Sequence, residues 1–553
     1  MGLKRFAVLT FLFLWIGSAG CSNTGTEHPA DHESSAAADD VPLFEDLGNH
    51  HMPVTTTNAS AQQYFDQGIR LVYGFNHDEA ERSFREAARL DSNCAMAWWG
   101  VAYSLGPNIN LPLDAERNGR ALDAVSRAKA LISQASPRER DYIEAIAVRY
   151  SADPNADRAA LDKAFSEAMG ALSRKYPDDL DVATLHAESM MNLRPWRYWT
   201  TDGKPQEGTE RILQVLESVL ARDPQNPGAN HYYIHAVEAS QQPEKALPSA
   251  ERLKTLVPAA GHLVHMPAHI QIRTGDYAGA AESNSKAAKA DEAYLARTNA
   301  RGVYPMMYYT HNYMFLSTAE AMQGQTQQSV ESAKKAVSIV APMTADPMAE
   351  YVLPWELYAL ARGEKWDAVL AYPEPAESSR STRGFWRYAR ALAHATKGNL
   401  VEARRERQEL EKATAAVPTD FMLNLNSARD LLAIAGHVVD ARIASKSGNS
   451  EAAIDSWNKA TGVQDRLVYD EPPAWYYPVR ESLGGEYLRS KSFVEAEKVF
   501  RRDLEINPGN GRSLFGLREA LQGQSRQAEA AQIRQRFEAV WKSADIRLSI
   551  PSL

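Results

Sequence analysis

The chain has little cysteine: Cys21 and Cys94 are the only two among 553 residues, which excludes a framework of disulfide bonds. It also lacks a long basic block, since 61 basic and 70 acidic residues give a net charge of −9. Nucleic acid is therefore not expected as the main ligand. Beyond Gly20 no uninterrupted apolar run is long enough to span a bilayer, so no further membrane-spanning helix is predicted.

Several motifs that carry chemistry are missing as well. The sequence has no Gly-rich phosphate loop, no G-x-S-x-G elbow and no C-x-x-C pair. Strand-like alternation of apolar and polar residues is also absent, whereas Ala-rich helical patterns begin near residue 60. With 44% hydrophobic residues the chain can still bury a large core. These features favour an all-α fold.

Residues 1–20 are typical of an export signal. Lys4 and Arg5 precede an apolar run over residues 6–16, and the segment Ser18-Ala19-Gly20-Cys21 follows. This segment resembles the bacterial lipobox, although Ser18 stands where that motif usually has Leu. The resemblance implies cleavage before Cys21, lipidation of Cys21, export, and anchoring to a bacterial membrane facing the periplasm or the cell exterior. The alternative is an ordinary secretory signal with an incidental cysteine. Residues 21–59 are then expected to form a flexible tether and lead-in loop.

The body of the chain is a repeat. Its first clear unit is Tyr64-x3-Gly68-x11-Ala80-x3-Phe84-x2-Ala87, which resembles the tetratricopeptide repeat (TPR). The resemblance implies a TPR-type α-solenoid over residues 60–545, a right-handed superhelix of antiparallel helix pairs, with residues 546–553 as a tail. Small residues let the helices approach closely, and bulky residues fill the space between hairpins.

A recurrent spacing of about 34 residues, the length of one TPR unit, supports this register. Trp98 follows Tyr64 at this interval, and Pro258 follows Pro224 at the same interval. Near the end of the chain, Gly484 and Phe500 occupy the positions that Gly68 and Phe84 occupy in the first unit. Long interruptions, such as residues 106–120, 193–208 and 468–476, are expected to be either functional loops or tolerated insertions.

Histidine is unevenly distributed. Of 14 histidines, six fall between residues 231 and 311: His231, His235, His262, His265, His269 and His311. His231 and His265 are one repeat length apart, as are His235 and His269. In the TPR frame these are positions 5 and 9 of two consecutive units, and the resemblance implies that such positions face the concave groove.

This pattern predicts a site in the groove. Histidines at i and i+4 share a helix face, and imidazoles bind Zn, Cu, Fe or Ni. The two pairs lack the Glu of the zincin motif, so no hydrolase is predicted. Three interpretations stay open: a transition-metal site, a non-metal ligand or acid/base site, and histidines inherited as packing residues. Pro267 is expected to kink or break its helix.

Other groove residues are predicted from the same frame. Glu238 is at position 12, Glu188 at position 9 of an earlier unit, and Trp99 and Tyr103 at positions 5 and 9 of the second unit. The aromatic, proline-rich segment 469–480 contains three further candidates, which would either close over a ligand in the groove or only pack the loop: Glu471, Trp475 and Arg480.

The whole chain resembles exported bacterial TPR lipoproteins with a His-rich central region. The segments that carry the likeness are Asn230-His231-Tyr-x-Ile-His235, Gly261-His262-x-x-His265-Met-Pro-x-His269 and His311-Asn312. The likeness implies architecture and not chemistry. We therefore expect a membrane-anchored protein that binds a peptide, protein or small-molecule ligand in its groove around a metal-binding centre. The alternatives are a metal-dependent enzyme and a pure protein-interaction scaffold with structural histidines.

Overall fold

The computed structural model describes residues 41–343 and 348–553. The predicted signal, the lipidation of Cys21 and the first half of the predicted tether concern residues outside this part of the chain. Among the described residues, no helix is both long and apolar enough to cross a membrane. Residues Pro42–Leu553 form one compact unit.

The first half of this unit is a succession of helices, each packed against its neighbours in the chain. They are α1 (Ala59–Tyr73), α2 (His77–Leu90), α3 (Ala95–Leu105), α4 (Ala115–Ala130), α5 (Pro137–Ala147), α6 (Arg158–Lys175), α7 (Leu180–Met191), α8 (Thr209–Arg222), α9 (Pro227–Val237), α10 (Leu247–Leu256), α11 (Gly261–His265), α12 (Pro267–Thr274) and α13 (Tyr277–Thr298).

The second half continues the pattern after a π-helical turn at Pro305–Tyr309. It contains α14 (Thr310–Met322), α15 (Thr326–Val340), α16 (Ala349–Val352), α17 (Trp355–Arg362), α18 (Trp366–Ala371), α19 (Arg380–Thr396), α20 (Leu400–Ala416), α21 (Ala428–Lys446), α22 (Ser450–Gln464), α23 (Val479–Arg489), α24 (Phe493–Ile506), α25 (Gly511–Gly523) and α26 (Gln527–Val540), with a short hairpin, β1 (Met422–Leu423) and β2 (Asn426–Ser427), before α21. The fold is thus all-α, a TPR-type solenoid of helix pairs, as the sequence predicts.

The turns show why helices begin and end where they do. Asn58 caps α1, because its side chain accepts hydrogen bonds from the amides of Ser60 and Ala61. Ser136 and Glu139 form a reciprocal capping box at the start of α5. Gly275 ends α12 with a φ of 84°, a left-handed conformation that favours glycine.

The repeat register is visible in how glycines meet phenylalanines. A Cβ added to Gly68 would lie 2.5 Å from the ring of Phe84, and one added to Gly100 would lie 2.4 Å from it. Gly484 and Gly516 flank Phe500 in the same way. Each buried ring therefore sits between two helices that only glycine allows to approach so closely.

Gly516→Ala is expected to lower the free energy of unfolding by about 2 kcal/mol, because its methyl group would lie 2.1 Å from Phe500 Cζ. Gly119→Ala is the matched control. A Cβ at Gly119, inside α4, meets no atom within 4 Å, so this change should raise stability by about 0.5–1 kcal/mol. Thermal unfolding of the two variants followed by circular dichroism checks the contrast. Equal midpoints would show that the glycine–phenylalanine contact does not set helix spacing.

Contacts between residues far apart in the chain join the C-terminal segment to the middle of the array. The Asp545 carboxylate accepts hydrogen bonds from the backbone amides of Thr326 and Gln327, each at 2.9 Å. The turn after α12 meets the turn before α25, where a Cβ at Gly275 would lie 2.2 Å from Pro508 O. The segment after α26 therefore contacts the start of α15, and the turn before α25 contacts the end of α12.

Candidate metal centre

Four helices, α9, α11, α12 and α14, carry the six histidines of the central region. α9 bears His231 and His235 one turn apart, and Glu238 follows at its C-terminal end. The predicted break at Pro267 is present, because α11 ends at His265 and α12 begins at Pro267. Met266 between them keeps helical dihedral angles, φ −53° and ψ −33°, so the chain hardly changes direction and His265 stays close to His269.

The ring nitrogens of α9 have defined partners. His231 Nδ1 lies 2.6 Å from the carbonyl oxygen of Tyr73, and His235 Nδ1 lies 2.8 Å from Glu238 Oε1. A carbonyl or carboxylate oxygen only accepts, so both Nδ1 atoms must donate. In the neutral rings each Nε2 then carries a lone pair. His231 Nε2 lies 3.1 Å from His262 Nε2, whereas His235 Nε2 is buried without a hydrogen-bond partner.

The same reasoning applies to α11 and α12. His265 Nδ1 lies 2.6 Å from Asn284 Oδ1, and the amide nitrogen of Asn284 is fixed by donating to Ala280 O. His269 Nδ1 contacts Glu238 Oε2. Both Nδ1 atoms are therefore donors, and the lone pairs of His265 Nε2 and His269 Nε2 face each other at 2.6 Å.

Burial disfavours the protonated form of His265, His269 and His311. It lowers the pKa of His265 well below the ordinary value, and the neighbouring His269 and His311 lower it further. Burial lowers the pKa of His269 as well, although the Glu238 carboxylate partly offsets this effect. Burial, followed by His269 and His235, lowers the pKa of His311 to about 3. Neutral imidazole is the form that binds metal.

Glu238 and Glu471 lie together beside His269. Burial alone would raise the pKa of Glu238, but His269 and His235 more than offset it, so that pKa lies below its ordinary value. Burial and then the charge of Glu238 raise the pKa of Glu471 well above its ordinary value. The carboxyl of Glu471 contacts His269 Nδ1. Two buried carboxyl groups whose pKa values are shifted in opposite directions therefore meet at one imidazole.

The β-hairpin positions Glu471. Asn424 and Asn426, one in its turn and one in β2, donate to the carboxyl of Asp470 at 2.6 and 3.2 Å. The Glu471 amide in turn donates to Asp470 Oδ1 at 3.0 Å. The loop 469–478 is therefore held so that Glu471 points toward the histidines.

Aromatic side chains enclose the centre. Phe75 lies edge-on to His231, with ring centroids 4.5 Å apart, and stacks on His262 at 5.5 Å. Phe315 contacts His265 and His269 from the other side, at 4.7 and 4.8 Å. These rings pack against the imidazoles from two sides and so restrict their rotation.

One wall of the centre opens onto a cavity of about 220 Å³. Its lining includes four histidines: His235, His262, His269 and His311. The remaining walls are mostly apolar and aromatic, among them Ile109, Trp196, Met307, Met314, Tyr308 and Val352. The exposed Asn424 also lines it, so the cavity reaches the protein surface.

The structure brings some of the predicted site residues together and separates others. The six histidines, Glu238 and Glu471 share one site, as described above. Trp475 instead packs against Tyr388 and Tyr358, with ring centroids 5.3 and 6.2 Å away. Arg480 forms a two-point ion pair with Asp465 at 2.6 and 2.7 Å.

Trp99, Tyr103 and Glu188 form a second buried group. The ring of Trp99 lies 5.4 Å from that of Tyr103, and the Tyr103 hydroxyl donates to Glu188 Oε2 at 2.7 Å. All three are at most 2% exposed. In this structure their partners are other side chains of the chain, so their predicted contact with a ligand would require a neighbouring element to move.

Two residues that orient the histidines were not predicted. Asn284 is on α13, at a position where a polar residue gives no sequence signal of its own. Phe75 lies in the turn between α1 and α2, with a φ of 55°, and nothing in that turn predicts a contact with a helix as far along the chain as α9. Trp196, whose ring lies 5.1 Å from that of His235, does belong to the interruption 193–208 predicted as a candidate functional loop.

Comparison with protein-family models gave no match, and neither did comparison with curated proteins. Among solved structures, the human IFIT1 dimer with m7Gppp-AAAA is 14% identical, covering 81% of this chain and 90% of that one, with a TM-score of 0.32. Yeast Tom70 is 13% identical, covering 87% and 97%, with a TM-score of 0.33. The P58(IPK) TPR domain is 12% identical, covering 85% and 99%, with a TM-score of 0.22. At identities and TM-scores this low, no ligand or activity of these proteins is transferred to this chain.

Proposed function

We propose that this helical-repeat protein binds transition-metal ions in the buried centre formed by its six clustered histidines. The observation that carries the proposal is the contact between His265 Nε2 and His269 Nε2 at 2.6 Å. Both nitrogens are acceptors, because both Nδ1 atoms are committed as donors to Asn284 and Glu238. Two lone pairs at this distance repel each other unless a positive centre lies between them.

A proton or a metal ion between the two nitrogens would relieve this repulsion. A proton would have to charge one ring, and burial lowers the pKa of His265 well below its ordinary value. A metal ion would instead use both lone pairs. Nitrogens bound to one ion at about 2.0–2.1 Å lie roughly 2.9–3.4 Å apart, so ligation requires the pair to open by about 0.3–0.8 Å.

The surroundings of the rings suit such a role. Metal-binding histidines usually donate their second ring nitrogen to a carboxylate or carbonyl, which fixes the ring and raises its basicity. His231, His235 and His269 each do so, to Tyr73 O and to the two oxygens of Glu238. Imidazole donors suit Zn, Cu, Fe and Ni.

Elemental analysis of the purified full-length chain in mild detergent is the direct test. We expect bound transition metal in the native chain and its loss in His235→Ala/His269→Ala, which keeps the helix content but removes both imidazoles that Glu238 orients. The control is His394→Ala/His437→Ala, which removes two histidines that lie on α19 and α21; its metal content should match that of the native chain.

Thermal unfolding gives the second readout. Metal that binds the folded state stabilises it by roughly 4 kcal/mol when free metal exceeds the Kd a thousandfold. A chain purified without metal whose unfolding midpoint stays constant on addition of Zn, Cu, Fe and Ni would refute the proposal. The histidines would then be structural, and binding of a partner would have to be sought elsewhere on the repeats.

A further inference from the structure

The six histidines fall into two groups of three, and a further group, His235, Glu238 and His269, lies across them. Triad A consists of His231, His235 and His262, and triad B of His265, His269 and His311. Within each triad, one ring nitrogen from every residue lies within 4.8 Å of the others. Nitrogens bound to a single ion at about 2.1 Å can be at most about 4.2 Å apart, so each triad is close to the spacing that one ion requires.

The two triads are adjacent but do not share a ligand. The rings of His235 and His269 are 5.3 Å apart between centroids, and those of His262 and His265 are 5.8 Å apart. Six imidazoles exceed the four ligands that a tetrahedral ion takes. The arrangement therefore suits two neighbouring ions better than one.

Glu238 joins the triads. Its Oε1 accepts from His235 Nδ1 of triad A at 2.8 Å, and its Oε2 contacts His269 Nδ1 of triad B. A single ionised carboxylate thus orients one ring in each triad and leaves both Nε2 atoms for metal. It also supplies negative charge beside one ring of each triad, which would offset the repulsion between two cations.

Both triads face the same cavity. His235 and His262 of triad A line it, and so do His269 and His311 of triad B. Three protein ligands leave a fourth coordination position open, as in catalytic rather than structural sites. At about 220 Å³, the cavity is large enough for a small molecule beside both positions.

We infer that the centre binds two metal ions, one in each triad, and that each ion keeps a coordination position open toward the cavity for a small donor ligand. This inference rests on the proposed function, because it presumes that metal binds at all. The cavity ligand is identified by its chemistry: a small molecule or anion with a lone pair, which completes the coordination of one ion or bridges the two.

Copper(II) loading of the metal-free full-length chain tests the number of ions. We expect two ions per chain after removal of loose metal. His231→Ala/His262→Ala and His265→Ala/His311→Ala, which each remove two ligands of one triad, should retain about one. One ion in the native chain would overturn the inference while leaving the proposed function intact. If the native chain binds no copper, both the two-ion inference and the proposed function are refuted.

Azide is the probe for the open positions. Added to the copper-loaded chain, it should produce a new charge-transfer absorption band that saturates. Met307→Trp, which fills the cavity at a side chain that is not one of the proposed ligands, should keep two ions and weaken azide binding at least tenfold. Absence of the band would overturn the open positions, and equal azide affinity in Met307→Trp would show that the ligand does not enter through this cavity.

Discussion

Replacing Glu238 with alanine is expected to lower the metal affinity of the centre by about 100-fold. The side chain is 1% exposed and contacts the Nδ1 atoms of His235 and His269. Removing a carboxylate that orients a metal-bound histidine typically costs roughly 10–100-fold in affinity, and here two rings lose it at once. The rings would rotate more freely and would compete less well for the ion.

A competition titration with a chelator, monitored alongside helix content, separates this effect from unfolding. Glu217→Ala serves as the control, because it removes a carboxylate from the preceding helix α8 that accepts a hydrogen bond from Tyr233 at 2.9 Å. The metal affinity of the Glu217→Ala chain should equal that of the native chain. A Glu238→Ala chain with native metal affinity would show that Glu238 orients no ligand, and an unfolded chain would call for the same titration on Glu238→Gln.

The repeat architecture could be predicted because its determinants are local. Gly68 and Phe84, or Gly484 and Phe500, recur at fixed spacing, since every helix pair solves the same packing problem. The break at Pro267 could also be predicted, because a proline removes a backbone donor whatever surrounds it. Its small effect on direction could not, because that depends on the dihedral angles of Met266.

The histidines of the candidate centre could be found from sequence, because the repeat spacing places equivalent residues on neighbouring helices. Their hydrogen-bond partners could not. Tyr73 O and Asn284 approach from distant segments, and which ring nitrogen they occupy decides where the lone pairs point. Glu471 is predicted from its loop, but the same loop also offers Trp475 and Arg480 as candidates, since composition alone does not show which side chains turn inward.

The sequence also favoured an open concave groove. Repeat periodicity describes each helix pair and its neighbour, but not contacts between pairs that are far apart in the chain. Here Asp545 binds the start of α15 and the lead-in residue Thr55 binds Glu139. The interruptions near residues 110 and 196 add further contacts of this kind, because Asn110 and Trp196 line the cavity beside the histidines.

Arg362→Met is expected to lower the free energy of unfolding by about 3–5 kcal/mol. Arg362, at the end of α17, forms a two-point ion pair with Glu481 on α23, and the Arg362 Nη2–Glu481 Oε1 distance is 2.7 Å. Glu481 is 1% exposed, so removal of the arginine leaves a buried charge without its main partner. The stability should be lost from the contact between α17 and α23, which joins the middle of the chain to its C-terminal helices.

Arg480→Ala, on the helix α23 that also carries Glu481, is the matched control. Its partner Asp465 is 45% exposed, and pairs of this kind contribute about 0–1 kcal/mol. Arg362→Met/Glu481→Leu should recover most of the stability lost in Arg362→Met, because it removes the orphaned carboxylate together with its partner. Urea unfolding of the four chains, followed by circular dichroism, measures these differences. If Arg362→Met and Arg480→Ala cost the same, the buried pair does not hold the C-terminal helices in place, and closure of the array must depend on apolar packing and on Asp545.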